Sequence, residues 1–235
     1  MTNSRMFKFI TGTCNPIGGR CPGLCSYCWA QSEKGIAKRY GHVKYQGPPR
    51  LYPKVLRKRY GEGDFIFDCD MRDKYSPDVP DQMILVVYGW QAENKAATFL
   101  DLTKYPTRYP GLLKHVPENV VLGATIETDM PIAPEISRAP WPYLRWEAMW
   151  YVAENTDNRT FISVEPILDC YPEGFAAAIE KVRPWKVAVG YDNWKNHLPE
   201  PSLEKTERLI ELLEEFTEVE RKTIRKAWWE NGKKK

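Results

Sequence analysis

The amino-acid sequence predicts an α/β fold, namely a single-domain, partial, open (βα)6 barrel of the TIM-like type. Short β-rich runs alternate with amphipathic segments, and each pair takes roughly 30 to 40 residues, the length of a βα unit. The chain has 235 residues, 43% hydrophobic and 28% charged, as expected for a globular domain with a sizeable core. No linker composition divides it, so we expect one domain over residues 1–232 and a disordered basic tail at 233–235. A doubly wound sheet is the alternative architecture.

Six strands and seven helices are predicted from these runs. The strands are the runs rich in β-branched and aromatic residues: Lys8–Gly12, Asp64–Cys69, Ala97–Thr103, Val120–Ile126, Thr160–Pro166 and Trp185–Gly190. The helices are the amphipathic segments that follow: Cys28–Tyr40, Asp81–Glu93, Tyr109–His115, Tyr143–Glu154, Glu173–Val182, Ser202–Glu214 and Val219–Glu230. In one of them, Trp146, Met149 and Trp150 recur at helical spacing and are predicted to be core. Prolines such as Pro48 and Pro49 fall in connections, where a missing N–H costs least.

Three cysteines follow the first predicted strand with the spacing C-x3-C-x2-C: Cys21, Cys25 and Cys28. Three thiolates cannot complete the four-ligand shell that iron–sulfur and structural zinc sites ordinarily have. A cube cluster bound in this way would leave one iron open to a ligand that is not protein. Two alternatives stay open: a zinc knuckle that takes Cys14 as its fourth ligand, and a disulfide pair in a secreted protein.

This spacing, with an aromatic residue just before the last cysteine, resembles the radical S-adenosylmethionine (radical SAM) superfamily. The resemblance implies that Cys21, Cys25 and Cys28 bind a [4Fe–4S] cluster whose fourth iron binds S-adenosylmethionine. One electron from the cluster would then cleave this cofactor to methionine and a 5′-deoxyadenosyl radical, which takes hydrogen from a substrate. An external one-electron donor of the flavodoxin or ferredoxin type is implied as well. Tyr27 would lie beside the cluster and near the adenine, and Trp29 would shield the cluster from solvent.

Polar residues end most of the predicted strands, and parallel barrels carry their functional sites at these ends. The superfamily usually binds the ammonium group of S-adenosylmethionine with a short motif that ends in Glu after the second strand. This chain has Phe67-Asp68-Cys69-Asp70 there and no Gly-Gly-Glu, so Asp68 or Asp70 is the candidate acceptor. The other candidate cofactor ligands are polar residues at later strand ends: Thr125, Glu127, Ser163, Glu165 and Tyr191. The structural alternative for each is a buried group that backbone N–H groups or an Arg satisfy.

Cys69 and Cys170 lie at or just beyond strand ends. Both are candidate hydrogen donors to a substrate radical, because cysteine has this role in some radical SAM enzymes. Free cysteine is otherwise a small buried hydrophobic residue, which is the competing interpretation for both. The three histidines are scattered, and none is predicted to be a general base.

Positive charge is concentrated near the N-terminus. Residues 1–63 contain twelve Lys or Arg and two Glu, a net charge of +10 in a chain whose total is +3. Basic residues interleave with tyrosines over residues 38–60, which suits phosphate contact and base stacking and makes this segment a candidate nucleic-acid surface. The alternative is a solvated amphipathic helix. No signal-peptide pattern or membrane-spanning stretch is found and clustered thiols favour a reducing compartment, so a cytoplasmic protein without membrane contact is expected.

A narrower resemblance rests on three stretches, Leu102–Tyr109, Leu122–Thr128 and Ile162–Pro166. They are similar to an uncharacterised radical SAM-like family of phage and prokaryotic genomes, itself distantly similar to spore photoproduct lyase. This resemblance implies no particular reaction, but it makes DNA or RNA the expected substrate class. Three hypotheses follow: a radical SAM enzyme acting on a nucleic acid or other phosphate-bearing substrate, the same chemistry on a peptide or small metabolite, and a non-catalytic zinc or iron–sulfur module that uses Cys14.

Overall fold

A sheet of seven parallel strands forms the centre of the computed structural model, which describes residues 6–231. The strands in chain order are β1 Gly12–Cys14, β2 Ile17–Gly18, β3 Arg50–Leu51, β4 Phe65–Asp68, β5 Thr98–Thr103, β6 Val120–Thr125, β7 Thr160–Val164, β8 Lys186–Val189 and β9 Glu218–Arg221. The sheet order is β1-β4-β5-β6-β7-β8-β9, while β2 and β3 form a separate antiparallel pair. Because β1 and β9 lie at opposite edges, the sheet is an open, partial barrel, and the predicted fold class is confirmed with one strand more than expected.

Helices follow the strands of the sheet, as they do in βα units. They are α1 Ile36–Arg39, α2 Asp81–Glu93, α3 Tyr109–Leu112, α4 Pro142–Asn155, α5 Pro172–Glu180 and α6 Leu203–Glu214. Single 3-10 turns cover Val43–Tyr45, Val55–Arg57, Pro106–Arg108, Leu113–His115 and Trp228–Asn231. Among residues 6–231, none of these helices has the length and apolar character to cross a membrane.

Apolar residues pack on both faces of the sheet, so the central strands are continuously buried. The larger core lies between the sheet and the helices and includes Trp146 and Met149 of α4, which confirms the prediction made for them, while Trp150 packs at its margin. A smaller core fills the inside of the barrel. Its members come from the N-terminal segment and from inward positions of five strands: Phe7, Ile10, Phe67, Leu100, Val121, Phe161 and Ala188.

The predicted first strand, Lys8–Gly12, is wrong, because β1 begins only at Gly12. The residues before it turn back on themselves, with the Ile10 N–H donating to the Phe7 carbonyl oxygen at 3.1 Å. This turn puts Phe7 and Ile10 into the inner core, where the Phe7 ring packs edge-on against Phe161 at 5.0 Å. Alternating apolar residues in this segment therefore serve as a plug for the barrel.

Three predicted helices also differ from the structure. Of Cys28–Tyr40 only α1 is helical, and Tyr109–His115 is divided into α3 and a 3-10 turn. The first is interrupted at Gly35, where a Cβ atom would lie 2.6 Å from the Ala30 carbonyl oxygen. The predicted last helix, Val219–Glu230, is wrong because its first residues form β9, which pairs with β8 in parallel register. The predicted tail at 233–235 lies outside the described residues.

Candidate cofactor and substrate site

The cysteine loop, residues 21–28, lines a hollow of about 340 Å³ together with the residues that follow it and Asn196 of the segment after β8. Cys21, Cys25 and Cys28 all line this hollow, and each is partly exposed. The loop is tied to the segment that follows β6, since the Arg138 N–H donates to the Gly23 carbonyl oxygen at 2.8 Å. All three thiols of the predicted motif are therefore brought to one place.

Gly23 sits between two of these thiols. A Cβ atom built on Gly23 would lie 3.6 Å from Cys21 Sγ, 3.7 Å from Cys25 Sγ and 3.2 Å from the Tyr105 hydroxyl. The two sulfur atoms thus face the same small space, which the absence of a side chain keeps open. Cys25 Sγ also lies 3.1 Å from Ser137 Oγ, and Cys28 Sγ accepts a hydrogen bond from the Gln31 N–H at 3.2 Å.

The sulfur atoms of three cysteines line this one hollow. Within residues 6–231, no three His, Cys, Asp or Glu side chains converge as a ready-made site for one metal ion. In a cube each thiolate binds a different iron, so its ligands need to surround a space rather than meet at a point. Burial raises the pKa of Cys21 to about 12 and also raises that of Cys25, so burial favours the protonated form of both thiols.

Tyr27 and Glu127, two of the predicted cofactor ligands, contact each other beneath the loop. Glu127 follows β6 and is fully buried. Its carboxylate accepts hydrogen bonds from the Tyr27 hydroxyl and from Arg145 Nη1, the latter at 2.7 Å, and Lys104 Nζ is 3.9 Å away. Arg145 Nη1 also donates to the Thr125 carbonyl oxygen at 2.8 Å. This network fixes the orientation of the cysteine loop relative to the sheet.

Asp68 lies away from the cysteine hollow, on the helix side of the sheet. Its carboxylate pairs with Lys74 Nζ at 2.5 Å and accepts a hydrogen bond from Cys14 Sγ at 3.3 Å. Lys74 bridges to Asp101 at 2.7 Å, and all three charged groups are buried. Cys14 belongs to the larger core and is not among the residues that line the hollow. Asp70 is held by Asn15 Nδ2 at 2.5 Å, and burial raises its pKa to about 6.

Asp73 is the carboxylate that sequence reasoning missed. It follows β4 by five residues, too far for a pattern confined to the residues directly after each strand. The carboxylate accepts hydrogen bonds from Thr103 Oγ1 at 2.6 Å, from the Lys104 N–H at 2.8 Å and from the Tyr75 N–H at 3.0 Å. The preceding residue, Arg72, donates from Nη1 to the Arg20 carbonyl oxygen at 2.7 Å, which brings this segment to the start of the cysteine loop. The negative charge of Asp73 adds to the effect of burial in raising the pKa of Cys21.

One protein family matches most of this chain. The family described as "Protein of unknown function (DUF5131)" matches residues 5–182. The chain belongs to the DUF5131 family. No curated protein matches its sequence.

Solved structures share the fold of this DUF5131 protein at low sequence identity. A spore photoproduct lyase variant with bound AdoMet and dinucleoside spore photoproduct has a TM-score of 0.57 at 12% identity, over 92% of this chain and 66% of the lyase. Streptococcus suis SuiB has a TM-score of 0.55 at 11% identity, over 91% of this chain and 49% of its own. Methylornithine synthase has 0.52 at 11%, over 91% and 65%. This chain spans about half to two thirds of these radical SAM enzymes, and the similarity shows that it has their fold.

The interior of the DUF5131 barrel is polar above the inner core. Thr125 and Ser163 are neighbours in the register of β6 and β7, and Glu165 follows at the end of β7. Glu165 Oε2 is 3.8 Å from Lys222 Nζ. A Cβ atom at Gly190 would lie 2.8 Å from Lys222 Cβ and 3.1 Å from Glu165 Oε1, so this position has room only for glycine. Three of the predicted cofactor ligands therefore meet on one inner surface.

We expect Glu165→Gln to change how stability depends on pH. Burial raises the pKa of Glu165 to about 7, with Glu220 adding to the effect and Lys222 and Lys104 opposing it. The folded state binds the Glu165 proton more tightly than the unfolded state does. The contribution of Glu165 to the free energy of unfolding is therefore lost as pH rises from about 4.5 to 7. Relative to Glu165→Gln the loss should reach at most about 3 kcal/mol. Urea unfolding of both proteins at pH 4.5 and 7.5 measures it, and parallel pH profiles would contradict the prediction.

Three other predicted residues of the DUF5131 protein fill structural positions. The Tyr191 hydroxyl lies 2.6 Å from Thr206 Oγ1 and donates to the Pro201 carbonyl oxygen at 3.1 Å, which joins the end of β8 to α6. Cys69 and Cys170 are buried in the larger core, and burial raises the pKa of both thiols. These placements agree with the structural alternative for Tyr191 and with small buried hydrophobic residues for the cysteines.

The basic segment of the DUF5131 protein, residues 38–60, forms an exposed surface and no long amphipathic helix. It contains the end of α1, two 3-10 turns and β3. Its cationic side chains are exposed except for the half-buried Lys44: Lys38, Arg39, Arg50, Lys54, Arg57, Lys58 and Arg59. The segment contains no Asp or Glu. The guanidinium carbon of Arg39 lies 5.8 Å from the ring centroid of Trp194, in the loop after β8.

Proposed function

We propose that this protein is a radical SAM enzyme whose Cys21, Cys25 and Cys28 bind a [4Fe–4S] cluster. The observation that carries the proposal is the hollow lined by these three thiols, with Gly23 leaving space between two of the sulfur atoms. The shared fold supports it, since the similar lyase variant is described with bound AdoMet. When bound, the cluster and S-adenosylmethionine supply one-electron cleavage of the sulfonium and a 5′-deoxyadenosyl radical. An external flavodoxin- or ferredoxin-like protein would supply the electron.

The protein's own residues position these groups and keep water away. Tyr27, Glu127 and Arg145 hold the cysteine loop in one orientation through buried hydrogen bonds. Asp73 is the proposed acceptor for the ammonium group of S-adenosylmethionine, because it lies near Cys21. Asp68 is not proposed, since its ion pair with Lys74 holds its carboxylate on the opposite side of the sheet. Thr125, Ser163 and Glu165 offer hydrogen-bond partners to the ribose and the substrate from the barrel interior. Phe7 and Ile10 close the bottom of the barrel to water.

A nucleic acid is the proposed substrate. The exposed basic segment gives phosphate groups several cations and no carboxylate of its own. The similar lyase is described in complex with a dinucleoside spore photoproduct, which supports the same substrate class. A zinc module that uses Cys14 is not favoured, because the Cys14 thiol donates to Asp68 in the larger core.

Anaerobic reconstitution with iron and sulfide tests the radical SAM assignment. The expected result is a [4Fe–4S] cluster whose electron paramagnetic resonance spectrum changes on addition of S-adenosylmethionine, followed by formation of methionine and 5′-deoxyadenosine on reduction. Tight binding of one tetrahedral zinc ion with no uptake of iron would overturn the assignment.

Oligonucleotide binding by this protein should weaken steeply as salt is raised. About four to six phosphate contacts to a single strand predict a slope of log K against log salt of roughly −3 to −4. Replacing Arg39, Arg50 and Lys54 by Ala should reduce the slope by about 2. Fluorescence anisotropy between 50 and 300 mM salt, on the order of cellular ionic strength, measures the slope.

The control for this measurement replaces Lys114 and Lys181 by Ala, two exposed lysines outside the basic segment. This variant should keep the wild-type slope. Binding that is insensitive to salt in the wild-type protein would exclude a nucleic acid and leave a peptide or small metabolite as the substrate class.

A further inference from the structure

Exposed apolar side chains and cationic side chains lie in and beside the lining of the cysteine hollow. Leu24, in the cysteine loop, is 40% exposed, and Trp194, in the loop after β8, is 45% exposed. Asn196 of the same β8 loop lines the hollow, as do Arg20 and Lys34. The guanidinium carbon of Arg39 lies 5.8 Å from the Trp194 ring centroid, which is within cation–π range. Glu33, an acidic residue of the lining, is already paired with Lys38, so the mouth presents a net positive charge.

Trp194 is held in this exposed position by its loop. Asp192 is buried and accepts hydrogen bonds from the Trp194 N–H at 3.1 Å and from the Asn196 N–H at 2.7 Å. Lys195 and His197 both adopt left-handed backbone conformations, with φ of 55° and 53°. Such conformations cost energy in residues other than glycine and persist only where the surrounding structure enforces them. The loop therefore holds Trp194 exposed, two residues before Asn196 in the lining of the hollow.

Other exposed aromatic residues follow strand ends on the same side of the barrel. Tyr171, directly before α5 in the segment after β7, is 67% exposed, and Trp141, directly before α4 in the segment after β6, is 62% exposed. A flat aromatic ring beside cations binds the face of a nucleobase while the cations bind its phosphates. In a duplex the base faces are already stacked on one another, so only an unpaired base can use such a ring.

We propose that this protein takes a single-stranded nucleic acid, with an unpaired base stacked on Trp194 at the mouth of the cysteine hollow. Phosphates on either side of that base would contact Arg39, Lys34 and Arg20, whose charges surround the same opening. The proposal rests on the proposed function and makes its substrate class more specific. It assigns binding of the strand to the β8 loop in addition to the basic segment.

Fluorescence anisotropy on reconstituted protein tests the proposal. The probes are a labelled single strand of about 15 nucleotides, which is about the length that one binding domain covers, and the corresponding duplex. The single strand should bind at least about tenfold more tightly than the duplex, and Trp194→Ala should weaken single-strand binding by roughly tenfold or more, whereas Trp194→Phe should retain most of it. Tyr151→Ala is the matched control, because Tyr151 is 47% exposed and lies near the far end of α4. It should bind like the wild type.

An abasic strand of the same length separates stacking from charge. It carries the phosphates without bases, so its affinity should be the same for the wild type and for Trp194→Ala. Equal or tighter binding of the duplex, or an unchanged single-strand affinity in Trp194→Ala, would overturn the proposal. Cleavage of S-adenosylmethionine by the same wild-type preparation tests the proposed function separately. Cleavage by a protein that does not bind the single strand more tightly than the duplex rejects only the single-strand proposal. Failure to form a cluster rejects only the assignment as a radical SAM enzyme.

Discussion

Cys25→Ala should bind no intact [4Fe–4S] cluster and should form no 5′-deoxyadenosine from S-adenosylmethionine. Among residues 6–231, Cys25 is one of the three thiols that line the hollow, and its sulfur lies 3.1 Å from the Ser137 hydroxyl, which is a poor iron ligand. The iron-free fold should change little, because a partly exposed thiol is removed from a loop, and we expect less than about 1 kcal/mol in the free energy of unfolding. Iron content, absorbance near the cluster bands and product analysis measure the first effect, and urea unfolding measures the second.

Cys14→Ala is the matched control for this experiment. Cys14 is seven residues before the first thiol of the triplet, but its side chain lies in the larger core beside Asp68. The variant should load a full cluster and cleave S-adenosylmethionine at the wild-type rate. Loss of metal from Cys14→Ala as well as from Cys25→Ala would instead support the alternative module, in which Cys14 is the fourth ligand.

Lys74→Met should destabilise the protein by about 3 to 5 kcal/mol. The Lys74 ammonium is buried between the carboxylates of Asp68 and Asp101, at 2.5 and 2.7 Å. Its removal leaves two buried carboxylates without a counter-charge, which is the costly way to break a buried ion pair. Burial raises the pKa of Asp68 even with Lys74 present, so the variant should recover part of its stability at acidic pH, where this carboxyl is protonated in the folded state.

Urea unfolding at pH 7 compares this variant with Lys38→Met. Lys38 pairs with Glu33 on the surface, where both side chains are largely exposed, and its loss should cost no more than about 1 kcal/mol. A triple variant that also carries Asp68→Asn and Asp101→Asn should regain most of the stability, since no charge is then left unpaired. Equal losses in the free energy of unfolding for Lys74→Met and Lys38→Met would show that the buried ion pairs of Lys74 contribute no more to stability than a surface ion pair.

Periodicity in the sequence predicted the middle of the fold well and its two ends poorly. The strands from β4 to β8 are mostly apolar and mostly buried, because both faces of a parallel sheet are covered. The run from Phe7 to Ile10 has the same apolar character but fills the barrel from inside, and a local pattern does not distinguish these two uses. Val219 lies in a sequence with helical composition, yet pairing with β8 makes it part of a strand. Tertiary context decided both cases.

The candidate site divides in the same way. The thiols of Cys21, Cys25 and Cys28 were identifiable because their spacing is local, and Glu127 because it directly follows its strand. Asp68 also fits the pattern of polar residues at strand ends. Because side chains alternate along β4, however, its carboxylate lies on the side of the sheet that faces the helices. Asp73 reaches the cysteine loop through a turn held by Thr103 and Lys104, which no spacing rule encodes.

The plug formed by Phe7 and Ile10 lies before the first strand but is part of the packed core. A truncation placed at Gly12, the first residue of β1, would remove no strand, yet it would open the inner core and expose Phe67, Val121 and Phe161 to water. It would also remove the Lys8 N–H that donates to Glu220 at 2.9 Å and so holds the edge strand β9. The segment before β1 therefore connects the edge strand β1 to the edge strand β9 of the open sheet. A domain boundary placed at the first residue of β1 would remove this segment.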